Sequence, residues 1–250
     1  MASEEILSGL PGLRLGLEHR RLFERLVSDV QRVEGRAVLA RAGRPATHVH
    51  LLLDGLVARH VDDRHGLRQI VGLRTPGDFL DLDAVHLSVT DHDLATMTPA
   101  RVARAPLAAL RALLADRPDF AQALWLSTLR DAAMTRTWVF RLGRLDAVGR
   151  VAHFLCEIDA RLSFAGLSDG RRFALDLTQF DLAEICGLTN VHVNRVMRQL
   201  REERLCVFRS GTVEMLQPAL LAARGQFTPA HLHLDHPAEP AALPRARSAG

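Results

Sequence analysis

The sequence contains no lysine and no tyrosine among its 250 residues, and only three cysteines. All 32 basic side chains are therefore arginines, planar forks suited to bidentate recognition of phosphate or of guanine edges. The formal net charge of +3 is small, so composition lends a nucleic-acid partner slight support. A genome that encodes arginine in preference to lysine accounts for the same count. Cys156, Cys186 and Cys206 lie far apart and are odd in number, which excludes complete pairing within the chain. Reduced, buried thiols are expected. The opening stretch MASEEILSGLPGLRLGLEHRR is acidic first and lacks an apolar run long enough for a signal peptide or a membrane span. The expected location is the cytoplasm, with no membrane partner. Missing too are a Gly-x-Ser-x-Gly elbow and a phosphate-cradling glycine loop, so enzymatic activity is not expected. The apolar content of 48% is that of an ordinary globular protein, and the length favours two domains plus a connector.

From residue 34 to about residue 106, short apolar runs are separated by turns at Gly35, Gly43, Gly55, Gly66 and Gly77, a spacing that predicts a β-roll or barrel. Residues 49–61 read as two strands around Asp54-Gly55, and residues 69–73 as a strand entering the turn Thr75-Pro76-Gly77-Asp78. Two short helices, near Ile6 and over 18–30, are expected before the roll. Over 119–142 the period becomes helical, with Phe120, Leu124, Leu129, Ala133, Trp138 and Val139 near one stripe. So much apolar surface exceeds the needs of a connecting helix, and pairing with a second copy is expected. Residues 143–146 form a candidate hinge. A second helix follows to about residue 162, with Val148, Val151, Ala152, Leu155 and Ile158 inward, and 166–172 read as a loop. The expected divisions are a sensory unit over 18–118, a dimerisation helix and hinge over 119–145, a DNA-binding unit over 146–227 and a mobile tail, rich in proline and alanine, over 228–250.

The most informative stretch is LTQFDLAEICGLTNVHVNRVMRQLREERL, residues 177–205. Thr178 can cap a helix that starts at Gln179, with Asp181 placed to favour the exposed N–H groups of its first turn. This helix buries Leu182, Ala183, Ile185 and Cys186 and stops at Gly187, whose tolerance of left-handed backbone angles suits a tight turn. A second helix over about 190–203 points Val193, Val196, Met197 and Leu200 inward. Asn190, Val191, His192, Asn194, Arg195 and Arg198 remain outside, with no carboxylate before Glu202. Amides and guanidiniums on that face can reach base edges and phosphates in a major groove. Arg201 and Arg204 extend the positive character, and residues 206–216 alternate around Ser210-Gly211 as a hairpin wing. An αα-hairpin used for packing alone would not separate its two faces so cleanly. Asp169, Asp176, Asp181, Glu184, Glu202, Glu203 and Glu214 offset the arginines, so affinity must come from placement and from two copies.

A roll, a dimerising helix and a winged helix, in that order, resemble the Crp/Fnr family of bacterial regulators over residues 18 to about 227. The likeness is strongest in the segment just quoted and in RLDAVGRVAHFL, which enters the DNA-binding unit. The resemblance implies an α+β chain with an N-terminal cyclic-nucleotide-binding-like β-roll, a long dimerisation helix and a C-terminal winged helix-turn-helix. It implies a transcription regulator that acts as a homodimer on a pseudo-palindromic operator, with double-stranded DNA, a second copy of the chain and RNA polymerase as partners. It puts Arg195 at the position of the family's base-reading arginine, and Thr178 and Gln179 at positions that usually touch phosphate. Val191 departs from the glutamate many members carry there and offers only apolar contact, so His192 and Asn194 are expected to supply part of the discrimination.

The sensory half departs further. Nucleotide-binding members hold the ribose with a Gly-Glu pair and the cyclic phosphate with an Arg-Ser pair. In GDFLDLDAVHLSVTDHDLATM, Asp81-Leu82 and Asp93-Leu94 fall near those places, and a carboxylate repels a phosphate. The usual cyclic-AMP pocket is therefore not expected. The first cysteine is Cys156, so no N-terminal iron–sulfur cluster can be built. None of His48, His50, His60, His65, His86 and His92 is singled out as a haem ligand, and no cofactor is expected. The rival reading is a metal-binding, cupin-like β-barrel enzyme, because Gly43, His48, His50 and Asp54 resemble the first half of a cupin motif. Its second half has no histidine after Pro76-Gly77. The stretch Asp81, Asp83, His86, Asp91, His92, Asp93 could sense a metal or a proton, although its spacing matches no recognised metal loop. The histidines of the tail, His231, His233 and His236, read as solvated.

Overall fold

A computed structural model of the chain describes residues 7, 10, 12–87 and 89–234. Helix α1 (Leu17–Glu24) precedes strands β1 (Asp29–Val33), β2 (Val38–Ala40), β3 (His48–Asp54), β4 (Val57–Asp62) and β5 (Arg68–Arg74). One helical turn, α2 (Ala84–Leu87), then leads to β6 (Asp93–Thr96) and β7 (Ala100–Pro106). These strands make two antiparallel sheets, in the orders β1-β7-β3 and β2-β6-β4-β5, that form the roll. The helix expected over 18–30 ends at Glu24, because residues 29–33 pair instead with β7. The helix expected near Ile6 lies outside the described residues. The two strands around Asp54-Gly55 exist, but they belong to different sheets. Gly55 (φ +89°) turns the chain from one sheet to the other, and a Cβ there would stand 2.4 Å from the Pro99 carbonyl oxygen.

Beyond the roll come α3 (Leu107–Asp116), which the sequence pattern did not disclose, α4 (Pro118–Arg144) and α5 (Ala147–Phe164). The C-terminal unit adds β8 (Arg172–Ala174), α6 (Gln179–Cys186), α7 (Asn190–Glu202), β9 (Cys206–Arg209), β10 (Thr212–Met215) and α8 (Pro218–Arg224). Its strands form a small sheet in the order β8-β10-β9. The candidate hinge is shorter than expected: Gly143 and Arg144 are still helical, and Asp146 already caps α5 by accepting from the Gly149 N–H at 2.7 Å. Residues 228–234, expected to belong to a mobile tail, are instead packed. Pro229–Leu232 form a 3-10 turn, Leu232 is buried, and its carbonyl accepts from Arg14 at 2.6 Å. The rest of that tail, with His236, lies outside the described residues.

The single stripe expected on α4 divides into two. Phe120, Leu124, Ala133 and Trp138 are buried within the chain, whereas Leu129 and Val139 are exposed together with Trp125 and Phe140. The buried side touches both halves of the molecule. Phe120 and Leu124 join the core formed by α1 and the β3 and β7 face of the roll. Trp138 joins a second core, in which Leu56, Ala58, Ile70, Leu73 and Met97 of the roll pack with the interior of the winged unit. One edge of the roll and the winged helix therefore share an apolar core.

Polar ties reinforce this. Asp131 of α4 is 2.5 Å from Arg59 Nη1 and 2.6 Å from Arg74 Nη2, while Arg161 of α5 reaches Asp78 at 2.6 Å. Burial pushes the Asp131 carboxyl up, but the two guanidiniums outweigh it and hold the group well below the usual carboxylate range. Its stabilising contribution is thus present above the unfolded-state pKa of about 4 and lost as the pH falls towards the folded value. Replacing Asp131 by Asn strands two arginines and should cost about 3 kcal/mol at pH 7. Urea unfolding should show that deficit narrowing as the pH is lowered below about 4.

Candidate nucleic-acid interface

Both ends of α6 are anchored. At its start Thr178 Oγ1 accepts from the Asp181 N–H at 3.2 Å, and Asp181 accepts from the Thr178 N–H at 2.6 Å, a reciprocal capping box. Asp181 also receives a fork from Arg36 of the roll, Nη1 at 2.5 Å and Nη2 at 2.6 Å. Burial would raise the Asp181 carboxyl, but this pairing and the Thr178 bonds keep it low. Arg36 holds a left-handed backbone (φ 68°), which costs a non-glycine residue about 1 kcal/mol. The far end of a helix leaves its last carbonyls without intrahelical donors. Here Gln69 Nε2 donates to the Glu184 carbonyl at 2.7 Å, Arg141 to that of Ile185 at 3.0 Å, and Arg150 to that of Gly187 at 3.3 Å. Two arginines at a helix C-terminus also complement its dipole. Gly187 takes φ +60° and ends the helix as expected.

Helix α7 starts at a second cap that the sequence analysis missed: Thr189 Oγ1 accepts from the His192 N–H at 3.3 Å. The signal was legible, a threonine just before the first residue of the periodic run. Val193, Val196 and Leu200 are buried, and Met197 is partly so. Asn190, Val191, His192, Asn194, Arg195 and Arg198 are exposed, as are Thr178 and Gln179 at the head of α6. Asn194 Nδ2 donates to the Asn190 carbonyl at 3.1 Å, so its amide lies along the helix. After α7, Arg204 (φ 55°) reverses the chain and the Leu205 N–H closes on the Leu200 carbonyl at 2.9 Å. Strands β9 and β10 then pair across Ser210-Gly211, both in left-handed conformation, to make the wing.

One edge of the predicted face is concave. Gln179, Asn194 and Arg198 line a hollow of about 200 Å³ with Arg201, Phe208 and Arg209. Beside it Arg201 and Arg209 line a second hollow of about 500 Å³ with Arg172 and the wing turn. Arg172 and Arg209 were not singled out in the sequence, because only strand pairing carries them to the recognition helix. A strip of guanidiniums flanking a helix that presents amides, an imidazole and an arginine can engage phosphates while α7 reads base edges.

The rival metal sites fare differently. His50 Nδ1 binds Asp81 at 2.6 Å, whereas His48 Nδ1 faces Arg104 at 3.1 Å. Among the described residues, His48, His50 and Asp54 form no common ligand set, which removes the geometric basis of the cupin reading. Asp93 accepts from Arg41 and from the Ala42 N–H, both at 2.8 Å. From the acidic stretch, Asp83, Asp91 and His92 come together, while Asp81 and Asp93 are engaged elsewhere. Cys156, Cys186 and Cys206 are buried and free, and burial pushes their thiols up to about 12, 11 and 12. None of the helices among the described residues is long and apolar enough to cross a membrane.

Removing the cap of α6 should be felt locally. Thr178→Ala is expected to cost about 1 kcal/mol in urea unfolding, with a further loss when Arg36→Ala is added, because the buried Asp181 carboxylate then has no counter-charge.

Residues 30–117 match the cyclic nucleotide-binding domain family, and residues 149–224 match the Crp-like helix-turn-helix domain family. The nitrogen fixation regulation protein FixK of Bradyrhizobium diazoefficiens is 29% identical over 206 residues, covering 81% of this chain and 84% of that protein. The transcriptional activatory protein AadR of Rhodopseudomonas palustris is 28% identical over 206 residues, with coverage of 82% and 84%. In fold, the chain superposes on the structure of FixK2 from Bradyrhizobium japonicum with a TM-score of 0.73 at 23% identity, over 79% of this chain and 97% of that one. A β-roll, a long helix and a winged helix-turn-helix, matched in both halves and along the whole alignment, make this chain a member of the Crp/Fnr family of DNA-binding transcription regulators.

Proposed function

We propose that the chain acts as a homodimer that reads a pseudo-palindromic operator through α7. The observation that carries this reading is the division of α4. A helix of 27 residues, about 40 Å long, buries one side in its own chain and leaves Trp125, Leu129, Val139 and Phe140 exposed. Exposed apolar side chains along a helix are what a second copy covers in a coiled-coil-like pair. Such a pair sets two recognition helices about 34 Å apart, one turn of B-DNA.

In this proposal residues 18–118 are the sensory unit, 119–145 the dimerisation helix and hinge, and 146–227 the DNA-binding unit. Arg195 reads a base, Asn190, Val191, His192 and Asn194 complete the readout, and Thr178, Gln179 and Arg198 hold phosphates. RNA polymerase is the further partner, by analogy with the relative named as an activatory protein. The effector differs from cyclic AMP, since the carboxylates of Asp81 and Asp93, near where a nucleotide's groups would be held, are committed to His50 and to Arg41. A signal in the roll would act on Arg36 and Gln69, which hold the two ends of α6, by favouring one arrangement of the winged unit over another.

Selection of bound duplexes from a random pool tests the reading. The expected result is a two-fold-symmetric motif, unchanged by added cyclic AMP. Arg195→Ala should cost about 1 to 3 kcal/mol and relax one base pair of each half-site, whereas Gln179→Ala should weaken all sequences alike. Equal losses on every sequence for both variants would remove Arg195 from base reading. For the dimer, Trp125→Glu with Leu129→Glu should halve the mass seen in sedimentation and abolish operator binding at concentrations that saturate the wild type.

A further inference from the structure

Where α5 meets the segment that follows α8, two imidazoles and a carboxylate face one another. His153 and Glu157 lie one turn apart on α5 and are 2% and 1% exposed. His231 comes from the 3-10 turn at Pro229–Leu232. In each histidine one ring nitrogen is already engaged with a carbonyl: His153 Nδ1 with Gly225 at 2.9 Å and His231 Nδ1 with Thr228 at 2.9 Å. A carbonyl can only accept, so Nδ1 carries the proton in both rings and Nε2 presents its lone pair when the ring is neutral. Both Nε2 atoms are buried without a hydrogen-bond partner. One ring nitrogen of each histidine and a Glu157 carboxylate oxygen lie within 4.8 Å of one another, and His231 Nε2 is 3.9 Å from Glu157.

The surroundings of the carboxylate suit ligation. Burial alone would raise Glu157, but Arg141, Arg161 and the Trp138 indole hold its carboxyl below the usual carboxylate range. The indole Nε1 stands 2.9 Å from each carboxylate oxygen and orients the group. Carbonyls on the remote nitrogens and a donor on the carboxylate are the outer contacts that metal-binding histidines and carboxylates usually have. A proton shared between His231 and Glu157 satisfies the site less well, since Nε2 is 3.9 Å from the oxygen, beyond a hydrogen bond, and His153 Nε2 would remain bare.

We propose that His153, Glu157 and His231 bind a divalent transition-metal ion of the zinc type, with water as the fourth ligand. Two imidazoles and one carboxylate are a recurrent zinc donor set, and a tetrahedral ion about 2.0–2.1 Å from each atom would draw the three together. Calcium and magnesium, which require six or more oxygens, do not fit. Arg161, 3.6 Å from Glu157, is balanced by Asp78, and Arg141 is stacked on Trp138, so the neighbouring positive charge is partly compensated. The ion would fasten the segment after α8 to α5 and, through Glu157 and Trp138, to the dimer helix.

The test uses the full chain, freed of metal with a chelator and titrated with zinc by calorimetry, and loaded in parallel with cobalt for visible absorption. One zinc per chain, a tetrahedral cobalt spectrum and a rise in Tm with zinc are expected. His231→Gln, on a segment at the surface, should retain the circular dichroism of the metal-free wild type and lose both zinc uptake and the cobalt bands. His231→Cys should restore uptake and add a thiolate-to-cobalt band, while Cys156→Ser should change nothing. A folded wild type that takes up no zinc, or zinc uptake that survives His231→Gln, overturns the assignment.

Discussion

Arg141 is fully buried where α4, α5 and α6 meet. Its guanidinium lies 4.1 Å from the centre of the Trp138 ring and 5.6 Å from that of Phe154, and it donates to the Ile185 carbonyl at the end of α6. Burial lowers its pKa, the mark of a cation far from water. Two aromatic faces and a helix C-terminus compensate this cation in part, while its Nε and Nη1 have no hydrogen-bond partner among the described residues. Beside the ties that α6 receives from Arg36, Gln69 and Arg150, its end is therefore tied to the end of α4.

The same helix explains why the two halves are not independent modules. Its Asp131 is clamped to the roll by Arg59 and Arg74, and its Trp138 lies in the core that the roll shares with the winged unit. Arg36 and Gln69 add polar contacts from the roll to each end of α6. Rotating the winged unit on the short Leu145-Asp146 link would expose that apolar interface and break those bonds. Such a change requires an effector with a matching difference in affinity for the two arrangements.

Two packing demands on α4 account for its composition. One side must bury apolar groups against both cores, and the other carries Trp125, Leu129, Val139 and Phe140 outward. Periodicity reports that a helix has apolar surface; it does not distinguish surface consumed within the chain from surface left over. Phe120 and Trp138 therefore shared a predicted stripe with Leu129 and Val139, although they serve different contacts.

The sequence alone determined the parts whose cause is local. The α6–turn–α7–wing unit was legible from the Thr178 cap with Asp181, the glycine needed at φ +60°, the spacing of Val193, Val196 and Leu200, and the turn at Ser210-Gly211. Each signal acts over a few residues, through hydrogen bonds and backbone sterics that any fold must respect. Tertiary structure alone decided what depends on distant partners. Residues 29–33 became a strand because β7 was available to pair with them. Arg36 came to Asp181, Arg209 came beside Arg201, and His231 came to Glu157, because sheet pairing and the shared core carried those segments together. No periodicity encodes such meetings, since they arise where separate apolar faces are buried at once.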